Sequence, residues 1–350
     1  MFGYKLGPRW SPSDGIHSNP RGTNALPTDS PRLRSELRDC LPSLVIDRPL
    51  APSGQRVVYL ARFDDSLIPG DVEKPTGDDP DEKPFLYGWE GWGNVVVKVV
   101  SGADPDTIAR LQAEVDILAA VRPANFPRLL YANLFIDNPV TDERLAERLY
   151  VTVEEFIDGP PLADICDQYL GQEKYIAKLG LGIANALMPL WVHAQRYVHR
   201  DIKPANVLIR STGEVVVIDL GIVRETGAAG LTQTGYIAPH TPGYAAPEQL
   251  GTDKALICFK ADFFAIGVVM YQLMSGIRPF HADPDMDVFD VHLATHKHHP
   301  QSLAHASSAS QAFSDFVEKS MQKEQFKRQR TPDIFVAELQ ALCEEANDKN

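Results

Sequence analysis

His199-Arg200-Asp201-Ile202-Lys203-Pro204-Ala205-Asn206 lies past the middle of the chain and puts a carboxylate, an ammonium and a carboxamide within a few residues of one another. Its flanks show where such a stretch must sit. Upstream, Tyr175–Ala194 has Leu179, Ile183, Leu187 and Leu190 on one face of a helical pattern. Downstream, Val207-Leu208-Ile209 and Val215-Val216-Val217-Ile218 are β-branched runs bracketing a Thr212-Gly213 turn, which predicts a hairpin. The stretch is therefore a loop between a helix and a hairpin, where Asp201 and Asn206 can fold toward one point. Asp219 follows the second strand directly, and Gly221 permits an abrupt turn after it.

Working toward the N-terminus, the pattern turns to strands. Tyr150–Phe156 and Val95–Val100 read as strands, and residues 44–62 read as a hairpin around Pro52-Ser53-Gly54-Gln55. One helix interrupts them, over Asp106–Val121, with Ile108, Leu111, Val115 and Leu118 in register. The acidic stretch with Gly77-Asp78-Asp79-Pro80-Asp81-Glu82 reads as a surface insertion over 64–90. Residues 1–40 form an arm rich in Pro, Ser and Asn, expected to be largely disordered. Toward the C-terminus the expectation is helical: Asp262–Gly276, Phe313–Lys323 and Pro332–Ala346. The fold class is α+β. A small β-rich lobe with one helix spans 41–158, and a larger, mainly helical lobe spans 159–346.

Composition narrows the partners. A net charge of −13 argues against nucleic acid and anionic membrane, since both are polyanions. Cys40, Cys166, Cys258 and Cys343 are far apart and suggest neither a zinc site nor a disulfide framework. No signal core opens the chain, and no uninterrupted apolar run has bilayer length, so a cytoplasmic protein is expected. His292, His296, His298 and His299 could ligate a metal, but a solvated helix end is the favoured reading.

Phosphoryl transfer needs a cation on the phosphates, ligands for magnesium, a carboxylate for the nucleophile's proton, and alignment. Asp201 would orient a hydroxyl and accept its proton. Lys203 would supply positive charge to the transferring group. Asn206 and Asp219 are hard oxygen donors suited to magnesium, with manganese as the alternative ion. Lys98 is a charge inside an apolar strand and is costly there unless paired. Glu114, in the helix that follows, is the predicted partner. The pair would fix Lys98 over the α- and β-phosphates.

These blocks, in this order, resemble the eukaryotic-type (Hanks-type) serine/threonine protein kinases over about residues 44–345. HRDIKPANVLI and VVVIDLG carry the resemblance, HTPGYAAPEQL resembles the end of an activation segment, and the wording is most similar to bacterial members. The resemblance implies a bilobal fold with ATP and magnesium in the cleft. It implies a hinge at Glu155-Phe156-Ile157, with adenine on the backbone of Glu155 and Ile157, and it puts Val58 in the nucleotide pocket. It makes Asp262 the brace of the HRD turn and pairs Arg330 with Glu248. Lys203 and Thr241 point to Ser/Thr substrates. Arg200 implies control by activation-loop phosphorylation, with Thr232 and Thr234 as the sites and trans-autophosphorylation through self-association.

The departures matter as much. Ala51, Ser53 and Arg56 fall where the family has glycines, and only Ser53 and Gly54 are small enough for a tight phosphate loop. Gly88-Trp89-Glu90-Gly91-Trp92-Gly93 lies too close to Lys98 to be that loop and reads as a turn into the strand. Glu154 falls at the gatekeeper position, so either a nearby cation pairs with it or the register is off by one. A pseudokinase or nucleotide-gated scaffold is thus the main alternative. A small-molecule phosphotransferase is disfavoured by Lys203 and by the Ala246-Pro247-Glu248 segment.

Overall fold

The computed structural model describes residues 5–6, 28–52, 56–70, 87–121, 124–220, 224–225, 241–251, 253–281, 283 and 285–348. The chain divides into two compact units, residues 1–120 with 127–156, and residues 121–126 with 157–350. It passes from the first to the second at Phe156 and Ile157, and the sequence gives no sign that 121–126 belong to the second unit.

The first unit contains β1 (Lys5–Leu6), α1 (Pro31–Cys40), β2 (Leu44–Pro49), β3 (Val57–Phe63), β4 (Val95–Ser101), α2 (Pro105–Val121), β5 (Leu129–Asp137) and β6 (Arg144–Glu155). The sheet runs β5-β6-β4-β3-β2 with every neighbouring pair antiparallel. The two residues of β1 add to the β5 edge in parallel. Because side chains alternate along a strand, the sheet has two faces of different character. One face carries Val57, Tyr59, Ala61, Val95, Val97, Val99, Val151 and Val153, all buried in one apolar cluster. The other carries Val58, Lys98, Val100, Tyr150, Thr152 and Glu154, all buried, and α2 packs on that side through Ile108, Leu111 and Val115.

The apolar face is covered by a helix in the segment expected to be disordered. Leu33, Leu37 and Cys40 of α1 lie at helical spacing and join the same cluster. Ser30 caps the helix by accepting from Leu33 N at 3.1 Å, and Pro31 occupies its first position. Asp29 accepts from the Tyr59 hydroxyl at 2.8 Å and pairs with Arg34. The prolines conceal this in composition, but three buried side chains at one helix face outweigh them. Burying each leucine stabilises by roughly 1.5–3 kcal/mol. The described flanks of the acidic insertion are bonded to each other, with Gly88 N donating to Asp65 Oδ2 at 2.7 Å. Trp89 is buried beside Phe63 (4.9 Å, edge-on) and stacks on Trp92, and Glu90 accepts from Asp65 N at 2.7 Å. The Gly/Trp stretch is thus a turn into β4 whose tryptophans fill the apolar face.

The second unit contains α3 (Leu162–Ile165), α4 (Glu173–Val192), β7 (Tyr197–Val198), β8 (Val207–Ile209), β9 (Val215–Val217), β10 (Arg224–Glu225), α5 (Pro247–Leu250), α6 (Lys260–Ser275), α7 (Val288–Lys297), α8 (Leu303–Ala306), α9 (Gln311–Ser320) and α10 (Pro332–Asp348). α4 is long and apolar enough by composition to cross a membrane, and 56% of its most apolar stretch is buried within this structure. α6 is buried on nearly every side, as a helix without a polar face must be. It ends at Gly276, whose φ of 75° is the left-handed conformation a helix stop uses. Trp191, Phe263 and Phe335 form the aromatic centre, with the two phenylalanine rings stacked at 4.0 Å. β8 and β9 pair as the predicted hairpin. Gly159 runs so close to it that an added Cβ would lie 2.2 Å from Ile209 O, so no other residue fits there.

Candidate functional site

The second unit gathers the loop residues into one hydrogen-bonded cluster. Lys203 Nζ donates to Asp201 Oδ2 at 2.8 Å and to Thr241 Oγ1 at 2.7 Å. Thr241 Oγ1 donates to Asp201 Oδ1 at 2.7 Å. Asn206 Nδ2 donates to Asp201 O at 2.9 Å and to Oδ2 at 3.1 Å. The Asp201 carboxylate is thereby fixed in angle by an ammonium, a hydroxyl and an amide while keeping some exposure, 14% for its side chain. A carboxylate held this way can align a hydroxyl and take its proton.

The loop is braced from below by Asp262, which is fully buried. Its carboxylate accepts from Trp191 Nε1 at 2.9 Å, His199 N at 3.0 Å and Arg200 N at 2.8 Å. Burial pushes the Asp262 carboxyl above its usual range, against the opposing pull of His199 and these donors. Gln249 of α5 adds a bond from Nε2 to Arg200 O at 2.8 Å. These contacts hold Arg200 at a φ of 70°, a left-handed conformation unusual for a side chain of that size. Asp219 has the same conformation, with φ 69°. It leaves the end of the hairpin one residue after Ile218, whose N donates to Asn206 O at 2.9 Å. The hairpin therefore fixes the backbones of Asn206 and Asp219 as neighbours.

A divalent cation fits these residues by donor chemistry. Asn206 spends its NH2 group on Asp201, which leaves the carboxamide oxygen as the hard donor, and Asp219 supplies a carboxylate. No group of three or more His, Cys, Asp or Glu forms a metal cage among the described residues, the histidines near α7 included. A pair of hard oxygens suits a small divalent cation that keeps waters and takes its remaining ligands from phosphate.

The first unit holds a second polar cluster on the α2 side of its sheet. Here the expected pairing is corrected. Lys98 Nζ lies 2.9 Å from Glu154 Oε2, and both side chains are under 9% exposed. Glu114 gives its two oxygens to the guanidinium of Arg56, through Nη1 at 3.1 Å and through Nη2. The reason is register. Lys98 pairs with Thr152 and Val96 with Glu154, so Lys98 and Glu154 are diagonal neighbours on one face. Arg56, two residues before Val58, enters that face from β3, since Val58 stands opposite Lys98. Of the two readings left open for Glu154, the nearby cation is the one present: Lys98 pairs with it. The alternation in VVVKVV and TVE carried this signal; what it lacked was the pairing of the two strands.

Other sites fall as follows. Val58 is buried at 5% beside Lys98 in the sheet. Glu155 N donates to Arg128 O at 2.8 Å, and its carboxylate accepts from Arg128 Nε at 3.0 Å. Ile157 is buried. Ser53, Gly54, Thr232 and Thr234 lie outside the described residues. The partner of Glu248 is Arg328, not Arg330. Arg328 Nη1 and Nη2 meet the two Glu248 oxygens at 2.7 and 2.9 Å, with the Arg328 side chain fully buried, whereas Arg330 is exposed. Two arginines two residues apart look alike in sequence, and only the turn after α9 decides which points inward.

The comparisons agree with this geometry. The family model described as protein kinase domain matches residues 93–338. Serine/threonine-protein kinase PknA of Mycobacterium tuberculosis is 33% identical over 220 residues, covering 59% of this chain and 47% of that protein. Serine/threonine-protein kinase pkn3 of Myxococcus xanthus is 28% identical over 265 residues, covering 72% and 45%. Myosin light chain kinase A of Dictyostelium discoideum is 30% identical over 231 residues, covering 64% and 71%. The chain spans about half the length of the PknA and pkn3 relatives it matches. With the loop, its buried aspartate brace and the family match over most of its length, this chain belongs to the protein kinase domain family.

Proposed function

We propose that this chain is a serine/threonine protein kinase that transfers the γ-phosphoryl group of ATP to a protein hydroxyl. Family membership carries the use of ATP and a divalent metal ion; magnesium is the ion this reading favours. The observation that carries the reading is the Asp201 cluster, in which one carboxylate is held by Lys203, Thr241 and Asn206 together. Asp201 aligns the substrate hydroxyl and accepts its proton. Lys203 sits beside that oxygen, where negative charge develops. Asn206 and Asp219 hold the metal ion, whose chemistry is to neutralise charge on the phosphate oxygens. Lys98 engages the α- and β-phosphates. The substrate hydroxyl belongs to Ser or Thr, the class named for the bacterial relatives. Thr232 and Thr234 are proposed as autophosphorylation sites, with Arg200 as the cation that would take the phosphate.

The test is transfer of label from ATP with magnesium to the chain or to a model protein. Asp201→Asn should lower the rate by about 10²–10⁴-fold and leave thermal unfolding unchanged. Labelling at the parent rate would remove Asp201 from the mechanism.

A second reading, a nucleotide-gated scaffold with little turnover, is favoured by one feature. Arg56 fills a position where the family has glycine, and its guanidinium takes Glu114. ATP binding by thermal shift with no transfer to any hydroxyl would support it.

A further inference from the structure

Arg56, Lys98, Glu114 and Glu154 face one cavity, walled by Val100, Leu111, Val115, Leu118 and Leu129 together with Tyr150 and Thr152. The cavity has a volume of about 10 Å³, which is room for roughly one water. Two cations and two anions around it sum to zero charge. Arg56 and Glu114 form a two-pronged pair with side chains 9% and 8% exposed, and Lys98 with Glu154 is as deeply buried. Glu154 is carried by β6, which is locked to β4 over seven paired residues, so this carboxylate does not drift away with a loop. A phosphate group is far larger than one water and carries the same sign of charge as Glu154.

We infer that Glu154 is a positioning residue that competes with nucleotide phosphate for Lys98, so that ATP engages Lys98 only by displacing an internal counter-charge. This rests on the reading of Lys98 as the phosphate-binding cation. The observed affinity for ATP is then the intrinsic affinity scaled by the fraction of chains whose Lys98 has let go of Glu154. Adenosine, which has no phosphate, does not meet this competition. Arg56 adds to the effect from the other side, because it occupies the Glu114 oxygens that would otherwise draw Lys98 away from Glu154.

The test uses the full chain, with calorimetric affinities for ATP plus magnesium and for adenosine, and steady-state kinetics of transfer. Glu154→Gln keeps the shape and removes the charge. It should tighten ATP about tenfold, corresponding to a lysine available in roughly a tenth of parent chains. Adenosine affinity should stay within twofold, and the gain should appear in KM for ATP while kcat stays near the parent value. The gain should vanish when Lys98→Met is added. If Glu154→Gln leaves ATP affinity unchanged or weakens it while Lys98→Met alone weakens it, Glu154 supports the lysine and the inference is overturned. If Lys98→Met alone leaves ATP affinity unchanged, the reading of Lys98 itself fails, and the inference with it. Should Glu154→Gln not fold, the parent still decides the matter. With ¹³C-labelled glutamate, the Glu154 carboxylate resonance should shift on adding ATP and stay in place on adding adenosine; an unmoved resonance with ATP overturns the proposal.

Discussion

Each unit holds a cluster built on a lysine and a carboxylate, and the two clusters stabilise those charges by opposite means. Around Asp201 the charges are diluted. A hydroxyl and a carboxamide share the carboxylate with Lys203, and the pair is 24% and 14% exposed. Around Lys98 and Glu114 the groups are four charges, each side chain under 10% exposed, each pair bonded at short range. A partly hydrated cluster can change its proton or partner cheaply. A dry one resists, since removing a single member strands a buried charge, whereas removing a whole pair does not. The difference separates a cluster suited to chemistry from one suited to holding a state.

Three measurements would break or sharpen that contrast, taken from the largest effect down. Arg56→Ala should cost about 3–5 kcal/mol by urea unfolding, because it leaves Glu114 buried without its fork. Arg56→Met combined with Glu114→Leu should restore most of that stability. If the single and double variants unfold alike, the dry cluster is not held by its pairing. Thr241→Val should change stability by less than about 1 kcal/mol yet lower phosphoryl transfer about tenfold, because it removes one hydrogen bond from each of Asp201 and Lys203. A loss of stability larger than the loss of rate would make the exposed cluster structural too.

The smallest effect concerns a half-buried cation in the second unit. Lys323 Nζ has no hydrogen-bond partner among the described residues and lies 3.8 Å from the centroid of the Phe280 ring, with Phe264 and Arg328 alongside. Burial lowers its pKa to about 7, and Arg328 pushes in the same direction. In the unfolded chain the amine keeps its ordinary, higher value, so between about pH 7 and the normal lysine range the unfolded state binds more protons. Stability contributed at this site should therefore rise with pH across that window, and the full cost of the charge should be felt below pH 7. Lys323→Met should raise Tm by a few degrees at pH 6, less than full burial would give because the side chain is partly screened by solvent, with the gain shrinking toward pH 10. An equal gain at both pH values would mean that the ring, not a titrating charge, sets the effect.

Much of the site was legible because its geometry is local. Asp201, Lys203 and Asn206 lie within one loop, and the hairpin that follows fixes Asp219 beside them, so spacing alone brings their backbones together. The errors were all long-range. Arg328 rather than Arg330 takes Glu248 because the turn after α9 rotates one of two similar arginines inward. α1 was hidden because proline-rich composition averages over the segment, while Leu33, Leu37 and Cys40 are ordered only by a sheet face built from residues far along the chain. Glu114 is claimed by Arg56, which enters the same face from β3.

The sequence by itself determined the family, the helix-to-hairpin placement of the loop around Asp201, and which residue types that loop offers, because these depend on contacts between near neighbours in the chain. Only the tertiary structure decided which cation each buried carboxylate holds. The physical reason is that a charge in a low-dielectric interior takes whichever partner strand register and helix packing bring within about 3 Å, and register between strands separated by dozens of residues is a property of the folded sheet.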